Sequence, residues 1–170
     1  TKELATYSEN GSVFTSHVSH HVPGVELSTG SLGHALPVAS GVSYAKKITK
    51  SSHNSCIILG DGELNEGSNW ESLLFFAHHR LPRTVIIDYN KLQSFGLTNE
   101  VLQLEPLKDK FQAFNLECLQ IDGHDHQAIF NALDSSSNEP RVIILDTIKA
   151  HPLKYAMNTL ESHYYSPNAQ

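Results

Sequence analysis

Apolar residues fall along this chain in two alternating rhythms. In the segment LGHALPVASGVSYAKKI, residues 32–48, Leu32, Ala35, Leu36, Ala39, Val42 and Ala45 repeat at the spacing of one helix face, and Lys46 and Lys47 sit where the helix dipole favours cations. Ser31 is predicted to cap this helix, and Pro37 falls near its first turn, where a missing N–H matters little. The polar break TKSSHNS then gives way to a short, continuous apolar run at 56–59. A helix from about Glu66 to Arg80 follows, with Pro82 as its stop, and a second apolar run occupies 84–88. Beyond it the sequence predicts a helix from Pro106, a strand CLQI at 118–121, a helix DHQAIFNALDSS at 125–136 and a further apolar strand RVIILDTI at 141–148. Residues 1–30 lack such a rhythm; they read as a short helix and a loop, with turns at Asn10-Gly11 and Pro23-Gly24.

Strands written as unbroken Val/Ile runs and separated by helices indicate βαβ units, hence an α/β, doubly wound fold whose mainly parallel sheet carries helices on both faces. Ligands bind such sheets beyond the carboxyl ends of the strands. Asp61, Asp88, Asn90, Asp122 and Asp146 all lie at or just past those ends. Any one of them alone would read as a turn or cap residue.

Composition narrows the partners. A chain of 170 residues, 39% apolar and without a run of membrane-spanning length, fits one globular domain. A net charge of -6 with no basic stretch argues against nucleic acid and against a membrane surface. Cys56 and Cys118 stand in apolar runs without metal-ligand spacing, so both are expected in the core, as suits a reducing, cytoplasmic setting. The chain opens on Thr1 rather than Met, which places the natural N-terminus upstream.

The chemistry concentrates in CIILGDGELNEGSNWE, residues 56–71. Gly60 and Gly62 flank Asp61 at a strand end, and Asn90 follows the next strand. A magnesium-type ion takes oxygen ligands, commonly one or two carboxylates plus phosphate oxygens, and the Asp61 carboxylate and Asn90 amide could supply two. The glycines let backbone approach a phosphate, and the following helix aims its N-terminal N–H groups at the same anion. Glu63 is expected to be solvated; the direction of Glu66 depends on where the helix starts.

The segments STGSLGHALPVASG, GDGELNEGSNWE, DYNKLQ, LEPLKDKFQAF and DGHDHQAI together resemble the diphosphate-binding half of transketolases, in the form where that half is a separate chain. The resemblance covers about Pro23 to Ile148 and returns at SHYYSP. It implies a thiamine diphosphate-binding fold, with residues 1–170 as one such domain preceded in the family by roughly a hundred further residues. It implies thiamine diphosphate as cofactor and Mg2+ or Ca2+ held by the side chains of Asp61 and Asn90 and the backbone carbonyl of Leu92. Gly62 would offer an N–H to the diphosphate, with Gly60 and Glu63 beside it. Ser31 and Leu32 would lie against the cofactor rings and Ser94 near the thiazolium. Glu66 matches a carboxylate in a proton path between paired sites, His163 a donor to the diphosphate, and His17 a histidine at the mouth of the substrate channel. A partner chain carrying the pyrimidine domain is implied, as two copies of each, and sugars or sugar phosphates as substrates. The reaction implied is transfer of a two-carbon ketol unit. The alternatives are a carboligase resembling deoxyxylulose-phosphate synthase and a degenerate, non-catalytic scaffold chain.

Two stretches depart from the pattern within the divergent segment 150–170. The family's T-V-K-G-K-G reads TIKAHPL here, with Ala150, His151 and Pro152 in place of small and basic residues, and Ser162 replaces a Trp before His163. His20, His21, His53, His78, His79 and His126 read as surface or capping residues; HVSHH, residues 17–21, has the spacing of a transition-metal site but no cysteine partner.

Overall fold

The computed structural model describes residues 4–52, 56–134 and 139–164. Its centre is a sheet of four parallel strands, β1 (Cys56–Gly60), β2 (Thr84–Tyr89), β3 (Glu117–Asp122) and β4 (Arg141–Asp146), in the order β1-β2-β4-β3. The pairing is in register: Ile57, Val85, Val142 and Cys118 form one cross-strand row, and Leu59, Ile87 and Ile144 belong to the next on the same face. Against these rows α1 (Ala35–Thr49), α2 (Gly67–His78) and α4 (Leu107–Ala113) set Leu36, Leu73, Phe76, Leu107 and Phe111. Removing such side chains from water contributes about 1.5–3 kcal/mol each. α3 (Thr98–Val101), a single turn, was not signalled by the sequence, because four residues are too few to show a period.

α5 (His126–Asp134) packs beside β3 on the second face, where Arg141 Nη2 donates to the Leu133 carbonyl at 3.1 Å and Ile86 and Ile143 are buried. Among the described residues this cover stops short of β1, whose Ile58 is 67% exposed. Cys56, on the same side, is exposed too, contrary to the expectation of a core cysteine, whereas Cys118 is buried. An edge strand obeys its period of two, and a continuous apolar run cannot reveal which of its faces lacks a neighbour.

Helix starts also move. α1 begins at Ala35 with His34 as an N-cap whose side chain makes no capping bond, not at Ser31. α2 begins at Gly67 after a 3-10 turn, Gly62–Asn65, and ends at His78, where Arg80 turns left-handed at φ +46° and Leu81 tucks its N–H onto the Phe76 carbonyl. No helix among the described residues is long and apolar enough to cross a membrane.

Ile57→Ala is expected to cost about 2–4 kcal/mol in urea unfolding, and Ile58→Ala, one residue along β1, less than about 1 kcal/mol. Equal costs would show that something beyond the described residues covers the second face of β1.

Candidate functional site

At the carboxyl edge of β1 and β2 the chain leaves a cavity of about 430 Å³. Leu32, Gly60, Asp61, Gly62, Glu63, Glu66, Asn90, Leu92, Ser94 and His163 all line it. A larger groove of about 500 Å³ lies alongside between Leu64, Trp70, Leu102, Leu104 and Phe114, but it is apolar, and its Lys110 is turned onto the Leu104 carbonyl at 2.6 Å. The titratable groups converge on the smaller cavity, so we take that as the site.

Asp61 is its anchor. The side chain is 2% exposed, yet no lysine or arginine among the described residues pairs with it. Oδ1 accepts the Gly62 N–H at 2.8 Å, and Oδ2 accepts both the Lys91 N–H at 2.7 Å and the Thr98 hydroxyl at 2.9 Å. A carboxylate offers about four lone-pair positions, so Oδ1 keeps one. Burial pushes the Asp61 carboxyl above the usual aspartate range, outweighing the three hydrogen bonds, and nearby Asp88 adds to the push. Asn90 bends back so that its Oδ1 accepts the Leu92 N–H at 3.0 Å, which leaves that oxygen a lone pair as well. Asp88 accepts the Thr147 hydroxyl and the Asn90 amide N–H, the latter at 3.5 Å, and so orients its neighbours. Carboxylate and amide oxygens with spare lone pairs form a donor set for a hard cation such as Mg2+.

The other wall is the loop before α1. Gly33 adopts φ +77°; its N–H donates to Glu63 Oε1 at 2.8 Å, and its carbonyl accepts the Ser68 hydroxyl at 2.6 Å. A Cβ there would lie 2.5 Å from Ser68 Oγ and 2.6 Å from Glu66 Cβ. Glu63 is therefore a structural acceptor rather than the solvated group expected, and Leu32 is carried to the cavity by this contact. Ser31 neither caps α1 nor lines the cavity; its carbonyl accepts the Thr29 hydroxyl at 3.4 Å. The Gly62 N–H, anticipated as a phosphate donor, is taken by Asp61. The missing Cβ of Gly62 instead makes room for Gln93, whose Cγ would stand 3.1 Å from it.

Three polar lining residues escaped the sequence reading. Among the described residues, Asn65 Oδ1 and Gln93 Nε2 are buried without a hydrogen-bond partner, an orphaned acceptor and donor on two residues that line the cavity. Lys149 places Nζ 3.1 Å from His163 Nδ1. Because lysine only donates, Nδ1 is the acceptor and the neutral ring carries its proton on Nε2; burial and then Lys149 hold the His163 pKa below the usual histidine value. Local sequence around these residues carries no signal beyond the T-I-K triplet at 147–149.

His17 packs against Gly30, where a Cβ would come within 2.9 Å of its Cγ, and does not line the cavity. His20 and His21 are occupied by the Ser28 and Ser19 hydroxyls at 2.5 and 3.0 Å, and no metal-holding cluster of His, Cys, Asp or Glu occurs among the described residues, so HVSHH gathers no such site. His78, His79 and His126 lie outside the cavity lining, and His53 lies outside the described residues.

Parallel sheet, edge cavity and oxygen donor set define a domain of the thiamine diphosphate-binding class, and residues 1–167 match the family described as "Transketolase, thiamine diphosphate binding domain". The chain belongs to the transketolase family. It is 40% identical over 168 residues to an apulose-4-phosphate transketolase subunit of Actinobacillus succinogenes, covering 96% of this chain and 61% of that protein. It is 34% identical over 165 residues to the 6-deoxy-6-sulfo-D-fructose transketolase subunit SqwG of a Clostridium species, covering 94% and 60%. The transketolase of Campylobacter jejuni superposes with a TM-score of 0.89 at 28% identity, over 95% of this chain and 27% of that one. The chain thus spans about 60% of the length of these two subunits.

The raised pKa of Asp61 has a sign that can be measured. Its protonated form is favoured in the fold, so the stability it contributes is complete below the ordinary aspartate range and is lost as pH rises through the raised value. Asp61→Asn is expected to flatten this part of the decline in cofactor-free stability as pH rises above the ordinary aspartate range, read from urea midpoints. An unchanged slope would mean that the carboxylate is not desolvated.

Proposed function

We propose that this chain is the cofactor-binding part of a split transketolase-like enzyme, which transfers a two-carbon ketol unit from a ketose donor to an aldose or aldehyde acceptor. The observation that carries the reading is the buried Asp61 carboxylate, without a cationic side-chain partner among the described residues and with a spare lone pair beside Asn90. Asp61, Asn90 and the Leu92 carbonyl would hold Mg2+ or Ca2+. Leu32 and Ser94 would lie against the cofactor. Diphosphate, dication and Asp61 sum to about -2, which the Lys149 ammonium and the His163 Nε2–H offset in part. Thiamine diphosphate, when bound, supplies an electron sink for breaking a bond beside a carbonyl.

Around this centre the chain's own groups orient and exclude. Glu66 is exposed at the cavity rim and makes no capping bond, which leaves its carboxylate free for a proton path toward a second site. His17 stays in the reading only as a residue of the approach to the site.

A partner chain carrying the pyrimidine domain, in an assembly of two copies of each, is part of the proposal; both relatives are themselves named as transketolase subunits, which supports it. So does a groove between α1 and α2, lined by Pro37, Gly41, Ser72 and Phe75, over a buried Ser40 Oγ without a hydrogen-bond partner. Val42 and Leu74 are exposed on the same two helices, while Leu73 and Phe76 are spent on the core. Two free cysteines suit a reducing, cytoplasmic setting.

The test is calorimetry on the full-length chain with its pyrimidine-domain partner. Thiamine diphosphate with Mg2+ should bind the wild type and fail to bind Asp61→Asn, whose amide oxygen can still accept from the loop donors, so that its unfolding midpoint without cofactor shows a folded variant. Asn90→Asp should bind more weakly than the wild type, because it adds negative charge to a site already near -2. No binding by the wild type would leave the scaffold reading standing, and tighter binding by Asn90→Asp would refute the charge balance.

A further inference from the structure

We propose that His124, which lies outside the cofactor cavity, is a positioning residue for it: a latch on the segment that carries Lys149. The inference rests on the reading of the cavity as a thiamine diphosphate site.

The turn after β3 is built to deliver this ring. Asp122 Oδ1 accepts the His124 N–H at 2.8 Å, and the Gly123 N–H donates to the Asp146 carbonyl at 2.8 Å. A Cβ on Gly123 would stand 2.4 Å from Thr147 Cγ2 and 3.0 Å from Leu145 Cβ, so only glycine lets the turn close on the end of β4. That closure brings His124 Nε2 to the Ile148 N–H at 2.8 Å, and the imidazole packs on the His151 ring with centroids 4.2 Å apart. Ile148 is the residue at which the chain has left the sheet. On one side Thr147 is tied to β2, through the Tyr89 carbonyl at 3.3 Å and the Asp88 carboxylate; on the other, the Lys149 carbonyl accepts the Asn158 N–H at 3.0 Å.

The bond from Ile148 to His124 thus fixes the backbone one residue before Lys149, whose Nζ sets the His163 tautomer. His124 lines a neighbouring pocket of about 340 Å³, shared with Lys149 and Asn90, and is absent from the lining of the cofactor cavity. Its influence on the cofactor therefore runs through Lys149. The ring is exposed, so replacing it removes a bond and not a piece of the core.

The experiment uses the full-length chain with its partner, thiamine diphosphate and Mg2+ in calorimetry, and amide exchange of the 147–155 segment without cofactor. His124→Leu is expected to weaken thiamine diphosphate binding about tenfold and to speed exchange at Ile148, with the thermal midpoint unchanged. His124→Gln, whose side-chain oxygen reaches as far as Nε2, should restore both. Lys149→Met should weaken binding at least as much, and His124→Leu combined with Lys149→Met should lose no more than Lys149→Met alone. If His124→Leu lowers the thermal midpoint, His124→Asn, polar but too short to reach Ile148, takes its place with the same expectations. Wild-type affinity in His124→Leu, or in its replacement, overturns the latch while leaving the cofactor reading intact. So does a double variant whose loss is the product of the two single losses. Failure of the wild type to bind overturns the cofactor reading and the latch with it, and is seen before any variant is compared.

Discussion

A carboxylate buried without a cationic partner among the described residues governs how the carboxyl edge of the sheet is put together. Asp61 follows β1 directly, and its Oδ2 reaches Lys91 and Thr98, which lie after β2 and at the start of α3. Two hydrogen bonds therefore tie the 91–98 loop to the strand end, and the loop closes on itself through the pairing of Leu92 with Leu97. Desolvating a carboxylate is costly unless a charge or several donors compensate it, and here the donors compensate only in part. The fold thus holds an electrostatic deficit in the place where a divalent ion would remove it. Much of the site's shape exists before any ligand, and the charge balance does not.

Shape depends on the backbone coming close. At Gly33 the loop before α1 lies against Glu66 and Ser68 with no room for a side chain, and that contact joins α1 to the turn after β1. At Gly62 the space goes to Gln93. Acidic residues that look alike in sequence are separated by these contacts into different roles: Asp61 is buried and bonded, Glu63 is a backbone acceptor, and Glu66 stands exposed at the rim. A diphosphate site needs that separation, because several free carboxylates around one anion would repel it.

The sheet was legible from sequence because β1, β2 and β4 are written as apolar runs that few other structures tolerate, and strand ends place polar residues on one edge whatever their identity. Asp61 and Asn90 could be singled out for that reason. What could not be read are contacts between distant segments: the Gly33–Glu63 bond spans thirty positions, and it delayed the start of α1 from Ser31 to Ala35. Asn65, Gln93 and Lys149 carry no local mark, since a polar residue in a loop looks the same whether it faces solvent or a cavity. Cys56 was misjudged because hydrophobicity reports what a strand can bury and not whether a neighbour is there to bury it.

The order of the strands bears on how the chain acquires this structure. Of the four described strands β4 comes latest in the sequence and yet lies inside the sheet, between β2 and β3, with Arg141 to Ile144 buried. β1 and β2 are consecutive and can pair as soon as α2 has formed. Among the described strands β3 has no partner until β4 arrives, and until then the edges of β2 and β3 that β4 will cover are open to strands of other chains. Late insertion of an interior strand raises the contact order and slows folding, so a growing chain of this design has most to gain from a chaperone while the stretch between β2 and β4 is being made.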